Sequence, residues 1–313
     1  MPESNGDLAA RRVLPYELVV GQAELKLALE LAYVDPAIGG VLASGQRGTA
    51  KTTTVRAFAV MVAGELPVTL PIGATEDRVL GGWHIDKLMQ GEAKPQQGLL
   101  VDAAESAAGM LYVDEINLLD DFLVNIILDV VSTGILDVQR ENLAEPARRV
   151  EFTLVGTMNP EEGALRPQLL DRFALVAEAN AVTDTADRAR IIEAVLSFET
   201  GSDAGAGTTR AAELRTARTR VAGLPLGPHT IAACAAIAGA FELVGHRGEL
   251  VLLRSARAYA ALTGSPEVGV EHVKAVAKLA LIHRRSRGET GTMPDWTEED
   301  DKRVADAVAE WRN

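Results

Sequence analysis

The chain has 313 residues, a net charge of −13, and 47% hydrophobic against only 4% aromatic residues. That length suits two domains with aliphatic cores, and the acidic balance argues against non-specific nucleic-acid binding, which draws on a basic surface. No apolar stretch reaches the roughly 20 uncharged residues of a membrane helix, and Met1 to Asp7 lacks the charged and apolar regions of a secretory signal.

Residues 1–13 are polar and are expected to form a flexible N-terminus. Residues 14–199 alternate strand-like and helix-like runs, which predicts an α/β domain with a parallel sheet and helices on both faces. In it, the apolar run Gly40-Val41-Leu42-Ala43-Ser44 leads into Gly45-Gln46-Arg47-Gly48-Thr49-Ala50-Lys51-Thr52, and a helical run follows from Thr53 to Val60. Strand, glycine-rich turn, Lys-Thr and helix make a phosphate-binding loop. Its backbone N–H groups and the helix N-terminus point at phosphate oxygens. Lys51 is expected to reach the β- and γ-phosphates, and the Thr52 hydroxyl to ligate Mg²⁺. Ala50 stands where the pattern G-x-x-x-x-G-K-[ST] has its second Gly. Because the site begins a helix, a negative φ is expected there.

A glycine-bounded insertion, Gly81 to Gly98, comes next and holds Trp83 and His84. It reads as a surface loop anchored by its Trp, or as a partner contact. His84 has no Cys or His at metal-ligand spacing, so no zinc site is expected. Gly109-Met110-Leu111-Tyr112-Val113-Asp114-Glu115 is a buried strand ending in two carboxylates at the ligand end of the sheet. Asp114 is placed in the Mg²⁺ shell, and Glu115 as the general base that polarises the attacking water. A second hairpin is expected from about Ile135 to Val155, turning near Arg140 to Leu143. The strand ending at Asn159 offers a polar tip to the attacking water or the γ-phosphate. Leu165 to Phe173 then carries Arg172 just past a short helix, which suits an arginine finger toward a neighbouring subunit.

Residues 200–209 are a Gly/Ser/Thr-rich linker. Residues 210–313 are Ala-rich with helical periodicity and form a helical lid with a final amphipathic helix, interrupted at Gly223 to Pro228. Cys234 is the only cysteine, so no intrachain disulfide can form, a small core role is expected, and a reducing cytoplasm fits. His283-Arg284-Arg285-Ser286-Arg287 reads as a solvated basic helix end, or as a subunit contact.

Several of these segments together carry a resemblance. They are Val20-Gly21-Gln22, the phosphate loop, Gly73 to Gly81, Leu111 to Leu119, Gly156 to Gly163, Leu165 to Phe173, and Arg247 to Ala258. The chain resembles the AAA+ ATPases and, among them, the ATPase subunit (subunit I) of magnesium chelatase, over about residues 14–285. The resemblance implies an AAA+ P-loop domain with an all-helical C-terminal lid, using ATP and Mg²⁺. It also places Gly21 and Gln22 near the adenine and gives Arg254 the sensor role on the lid. It implies a homo-oligomeric ring, a hexamer, partnered by an AAA+ subunit with a von Willebrand A domain and by a large porphyrin-binding subunit that inserts Mg²⁺ into protoporphyrin. A MoxR-like chaperone ATPase acting on a von Willebrand A-domain partner shares nearly every one of these motifs and stays open here. The acidic charge counts against a nucleic-acid motor.

Overall fold

The computed structural model describes residues 13–83, 89, 95–137, 139–140, 143–144, 147–201, 208–285 and 295–311. Residues 1–12, His84, the hairpin tip Glu141-Asn142, linker residues 202–207 and Ser286-Arg287 lie outside them. Five strands form one sheet: β1 (Val41–Ser44), β2 (Val68–Leu70), β3 (Met110–Val113), β4 (Thr153–Met158) and β5 (Leu175–Glu178). Their order is β5-β1-β4-β3-β2. β4 and β2 both run parallel to β3, with Val155 opposite Tyr112 and Thr69 opposite Tyr112. β1, β3 and β4 are buried at every residue, as strands covered on both faces must be. By compactness the chain divides into two units.

The first unit takes residues 1–22, 43–165 and 179–206. Helix α1 (Ala23–Val34) belongs to the other unit, so the first helix of this one is α2 (Lys51–Ala63). It ends at Gly64, whose φ of 76° lets its N–H cap the Val60 carbonyl. Helix α3 (Asp121–Thr133) starts on the Asp120 side chain, which accepts from the Phe122 N–H, and stops at Gly134 with φ 67°. Gly45 follows β1 at a point where a Cβ would lie 2.2 Å from the Ala179 carbonyl oxygen, so only glycine fits. The Gly81 insertion carries an antiparallel strand pair, and the hairpin expected from Ile135 pairs its described strands. Gly81–Trp83 pairs antiparallel with Pro95–Gln97, and Ile135–Leu136 pairs with Arg148–Arg149, continued by Gln139–Arg140 with Leu143–Ala144. Helix α4 (Thr185–Glu199) has no buried residue despite its apolar Ile191, Ile192, Val195 and Leu196.

The phosphate-loop backbone differs from expectation at one residue. Ala50 is the N-cap of α2 and sits at φ 60°, ψ 20°, not at negative φ. The N-cap lies outside the helical dihedrals, and this chain enters α2 through the left-handed region, where a Cβ costs about 1–2 kcal/mol.

The second unit takes residues 23–42, 166–178 and 207–313. Besides α1 it holds α5 (Thr208–Arg220), α6 (Thr230–Ala240), α7 (Arg247–Leu262), α8 (Val270–Leu281) and α9 (Glu298–Ala307). Leu25, Leu29, Leu214, Ile237, Leu252, Ala256, Val273 and Val276 build its core. Cys234 lies buried there, and burial pushes its thiol up to about 12, so it serves as a small inert core residue. Arg210 of α5 donates through Nε to Glu30 of α1 at 3.0 Å, and Lys278 of α8 bridges Glu24 and Glu178 at 2.6 and 2.9 Å.

The segment after α8 corrects the reading of a solvated basic end. His283 is buried, and the Arg284 side chain is only 3% exposed. Arg284 donates to the carbonyls of Asp171 (3.0 Å), Phe173 (2.7 Å) and Ala174 (3.0 Å), and His283 Nε2 donates to Phe173 O at 3.0 Å. Arg285 pairs with Asp300. The cause is local. Residues 171–174 form an irregular turn whose buried carbonyls need donors, and the planar guanidinium supplies several at once. Burial pulls the Arg284 pKa down to about 10, with Asp171 opposing, so it stays cationic at neutral pH.

Two stability predictions follow from these contacts. Arg284→Met leaves the turn's carbonyls unsatisfied and should cost about 3 kcal/mol in urea unfolding; an unchanged midpoint would show that the carbonyls find other donors. Ala50→Gly should raise stability by about 1 kcal/mol, read as a higher melting temperature, because it removes the left-handed penalty; a lower one would mean that the Ala methyl stabilises the loop by packing.

Candidate nucleotide site

The loop between β1 and α2 closes on itself through polar contacts. Lys51 Nζ donates to the carbonyls of Gly45 (2.6 Å) and Gln46 (2.7 Å), and Thr49 Oγ1 donates to Gln46 O at 2.9 Å. Gly48 sits at φ +80° with open space where a Cβ would be. Burial pulls the Lys51 pKa below its usual value, while the carboxylates of Asp114, Glu115 and Glu162 pull it back up. The first turn of α2 supplies N–H groups that no helical carbonyl can reach, the arrangement that suits an anion.

The two carboxylates after β3 face this loop from different settings. Asp114 Oδ1 accepts from Tyr112 OH (2.8 Å) and Thr157 Oγ1 (2.7 Å), and Tyr112 OH lies 2.9 Å from Thr52 Oγ1. Tyr112 is fully buried, and burial with the Asp114 contact pushes its phenol up to about 12. Glu115 is held at φ 52°, ψ 55°, another left-handed position without glycine, and its N–H donates to Thr157 Oγ1 at 3.0 Å. Arg47 pairs with Glu162 at 2.6 Å and Glu115 at 3.4 Å, and Gln46 Nε2 donates to Glu161 at 3.1 Å. The loop is thereby tied to the turn after β4. Asn159 begins that turn, buried, with its Oδ1 accepting from the Glu161 N–H at 3.3 Å. The amide NH₂ is the donor left for another group.

These residues share one cavity of about 820 Å³ inside the first unit. Arg47 to Thr52, Asp114, Glu115, Asn159 and Gln22 all line it. Gly21, Gly45 and Gln46 are not lining residues. Gly21 is the left-handed turn (φ +75°) before Gln22, and Gly45 is the close-packed hinge of the loop. Arg172 and Arg254 belong to the second unit and do not line the cavity. There Arg172 follows the short helix Pro167–Leu170, and Arg254 on α7 donates to the Ala37 carbonyl.

Away from the loop the cavity wall is apolar: Leu14, Leu18, Val20, Val182, Ile191 and Val195. Gln22 stands among them, 8% exposed. Its Nε2 donates to Asn180 O at 2.9 Å, and its buried Oε1 has no hydrogen-bond partner. An orphaned acceptor in an apolar wall suits a flat base bearing an amino group. At the other end an ammonium, helix N–H groups, a Thr hydroxyl and a carboxylate suit a polyphosphate with a divalent cation. The residues present therefore fit MgATP, with Thr52 and Asp114 as the groups that could hold the metal. Tyr112, Thr157 and the α4 residues escape the sequence reading. The one visible signal was a tyrosine and a threonine inside strands otherwise apolar.

Comparison with known proteins agrees with the fold. The family described as AAA domain (dynein-related subfamily) matches residues 40–173, and the AAA lid domain matches residues 231–307. A structure described as an ATPase from Cytophaga hutchinsonii is 17% identical with a TM-score of 0.68 over 96% of both chains, which speaks to the fold only. An uncharacterized protein of Mycobacterium tuberculosis is 41% identical over 87% of this chain, which spans 45% of that protein's length. A chain of the complex between subunits BchI and BchD of magnesium chelatase, built on a single-particle cryo-EM reconstruction, is 38% identical, covering 90% of this chain and 99% of that one with a TM-score of 0.50. The magnesium-chelatase 38 kDa subunit of Chlorobaculum tepidum is 37% identical over 95% of this chain and 86% of its own. With its AAA and lid regions in place, the chain belongs to the family of magnesium-chelatase 38 kDa subunits, among the AAA ATPases.

Proposed function

We propose that this chain is the ATP-hydrolysing motor subunit of a magnesium-chelatase-type complex, driving Mg²⁺ insertion into protoporphyrin by a separate porphyrin-binding subunit. The observation that carries it is the single cavity joining Lys51, Thr52, Asp114, Glu115 and Asn159 in a chain of this family. The relatives favour this reading over a MoxR-like chaperone.

In this reading residues 14–199 carry the nucleotide and 210–313 form the lid, joined through 200–209. When bound, MgATP supplies the phosphoanhydride whose hydrolysis releases the energy. Lys51 and the α2 N-terminus neutralise phosphate charge. Thr52 and Asp114 would hold the cation. Glu115 orients a water and takes its proton, and Asn159 donates to the water or the terminal phosphate. Gln22 would lie beside the base. Arg172 acts in the site of a neighbouring subunit in a homo-oligomeric ring, a hexamer, and Arg254 senses the nucleotide of its own subunit. Hydrolysis then requires assembly. The partners are a BchD-type AAA+ subunit with a von Willebrand A domain and a large porphyrin-binding subunit. No helix among the described residues is long and apolar enough to cross a membrane, and the lone buried Cys234 makes the cytoplasm the proposed location.

Arg172→Ala should bind ATP with near-normal affinity yet lose hydrolysis by about 10³-fold, the scale of an arginine finger. Steady-state turnover in purified rings checks this. Near-normal turnover would overturn the assignment and turn attention to Arg166. The function itself is tested by affinity capture from native extract with Glu115→Gln, expected to hold ATP unhydrolysed. Recovery of a von Willebrand A-domain subunit together with a very large porphyrin-binding chain is the expected result. Recovery of a von Willebrand A-domain protein without any porphyrin-binding chain would overturn the chelatase reading.

A further inference from the structure

Tyr112 is the one polar side chain of β3, and its hydroxyl is buried between two groups of the nucleotide site. The proton arrangement around it can be deduced from donor and acceptor counts alone. A carboxylate only accepts, so the bond at 2.8 Å between Tyr112 OH and Asp114 Oδ1 uses the single phenol proton. The bond at 2.9 Å between Thr52 Oγ1 and Tyr112 OH therefore has Thr52 as its donor. On the far side the Glu115 N–H can only donate, and it donates to Thr157 Oγ1 at 3.0 Å. The Thr157 proton passes to the same Asp114 oxygen at 2.7 Å. Every proton of the chain thus points toward Oδ1.

This directionality has a chemical consequence at Thr52. A hydroxyl ligates a cation through a lone pair and cannot do so with its proton aimed at the metal. With its proton turned onto Tyr112, Thr52 offers only lone pairs to the cavity. With two donors fixed on Oδ1, the Asp114 carboxylate has a set orientation, and its Oδ2 takes no part in the chain. Resting on the nucleotide-site reading above, we propose that Tyr112 is a positioning residue for the nucleotide's divalent cation: its hydroxyl takes the Thr52 proton and orients the Asp114 carboxylate. Outer-shell partners of this kind typically change metal affinity by about 10–100-fold when removed.

The test is Tyr112→Phe, which deletes the oxygen and keeps the ring that fills the core. Equilibrium binding of a fluorescent ATP analogue is measured in excess EDTA and across a Mg²⁺ titration. In EDTA the variant should bind within about twofold of wild type, because the loop and the apolar wall are intact. The Mg²⁺ midpoint should rise by about tenfold or more. A melting temperature that falls while the Mg²⁺ midpoint stays at the wild-type value would overturn the proposal, since that is the signature of a purely structural hydroxyl. Thr52→Val supplies the second readout as a double-mutant cycle. If Tyr112 acts through Thr52, adding Tyr112→Phe to Thr52→Val should shift the Mg²⁺ midpoint by clearly less than it does in wild type; a full, additive shift would contradict the Thr52 half of the proposal. Wild-type protein that binds no nucleotide under any condition would instead refute the nucleotide-site reading itself, before Tyr112 enters.

Discussion

One carboxylate oxygen, Asp114 Oδ1, ties together three elements that must agree if this cavity is to bind a polyphosphate and a cation. Helix α2 reaches it from Thr52 through Tyr112, β3 carries the aspartate itself, and β4 reaches it through Thr157. All four polar groups sit at the ends of buried parallel strands or at a helix N-terminus, where backbone position is fixed by the sheet. Buried polar groups of this kind are costly if any one is left unmatched and specific if all are matched. The apolar strands make the scaffold, but the matched hydroxyls fix where the carboxylate points.

A second constraint acts in the other unit. The Arg284 guanidinium reaches the carbonyls on both sides of Arg172, those of Asp171 and Phe173, and Arg247 adds an ion pair to the Asp171 side chain at 3.4 Å. Arg172 thus rides on a turn anchored to the end of α8, within the compact unit that also holds the lid helices. If Arg172 works on a neighbour's nucleotide, its aim is set by the helical unit and not by the strand that carries Asn159. Displacement of those helices would then alter a neighbour's chemistry, which gives assembly-dependent hydrolysis a mechanical route.

The sequence disclosed the parts whose logic is local. Val41 to Ser44, Met110 to Val113 and Thr153 to Met158 read as strands because a strand buried on both faces leaves a largely apolar run. The loop, the paired carboxylates and the hairpin from Ile135 were legible from spacing and turn residues. What stayed hidden depends on distant partners. Arg284 looked like a solvated charge because sequence shows the guanidinium and not the carbonyls of Asp171, Phe173 and Ala174 that it meets. Ile191 and Val195 lie on α4, which buries no residue, and they line the cavity. Tyr112 hid inside its apolar strand, since an aromatic ring there is ordinary and only the position of its oxygen is not.

Ala50 and Glu115 show why the remaining misreading matters. Both hold left-handed backbone without glycine, one at the mouth of α2 and one just after β3, and both line the same cavity. Each such residue costs about 1–3 kcal/mol and persists only where its surroundings over-determine it. At Glu115 the over-determination is visible: its N–H is held by Thr157, and its carboxylate is held by Arg47. The Glu115 carboxylate meets the phosphate loop through Arg47. Arg47 belongs to that loop, so a polyphosphate settling there competes with Glu115 and Glu162 for the guanidinium. Loading the loop would then loosen one restraint on Glu115 while the Thr157 bond keeps its backbone in place.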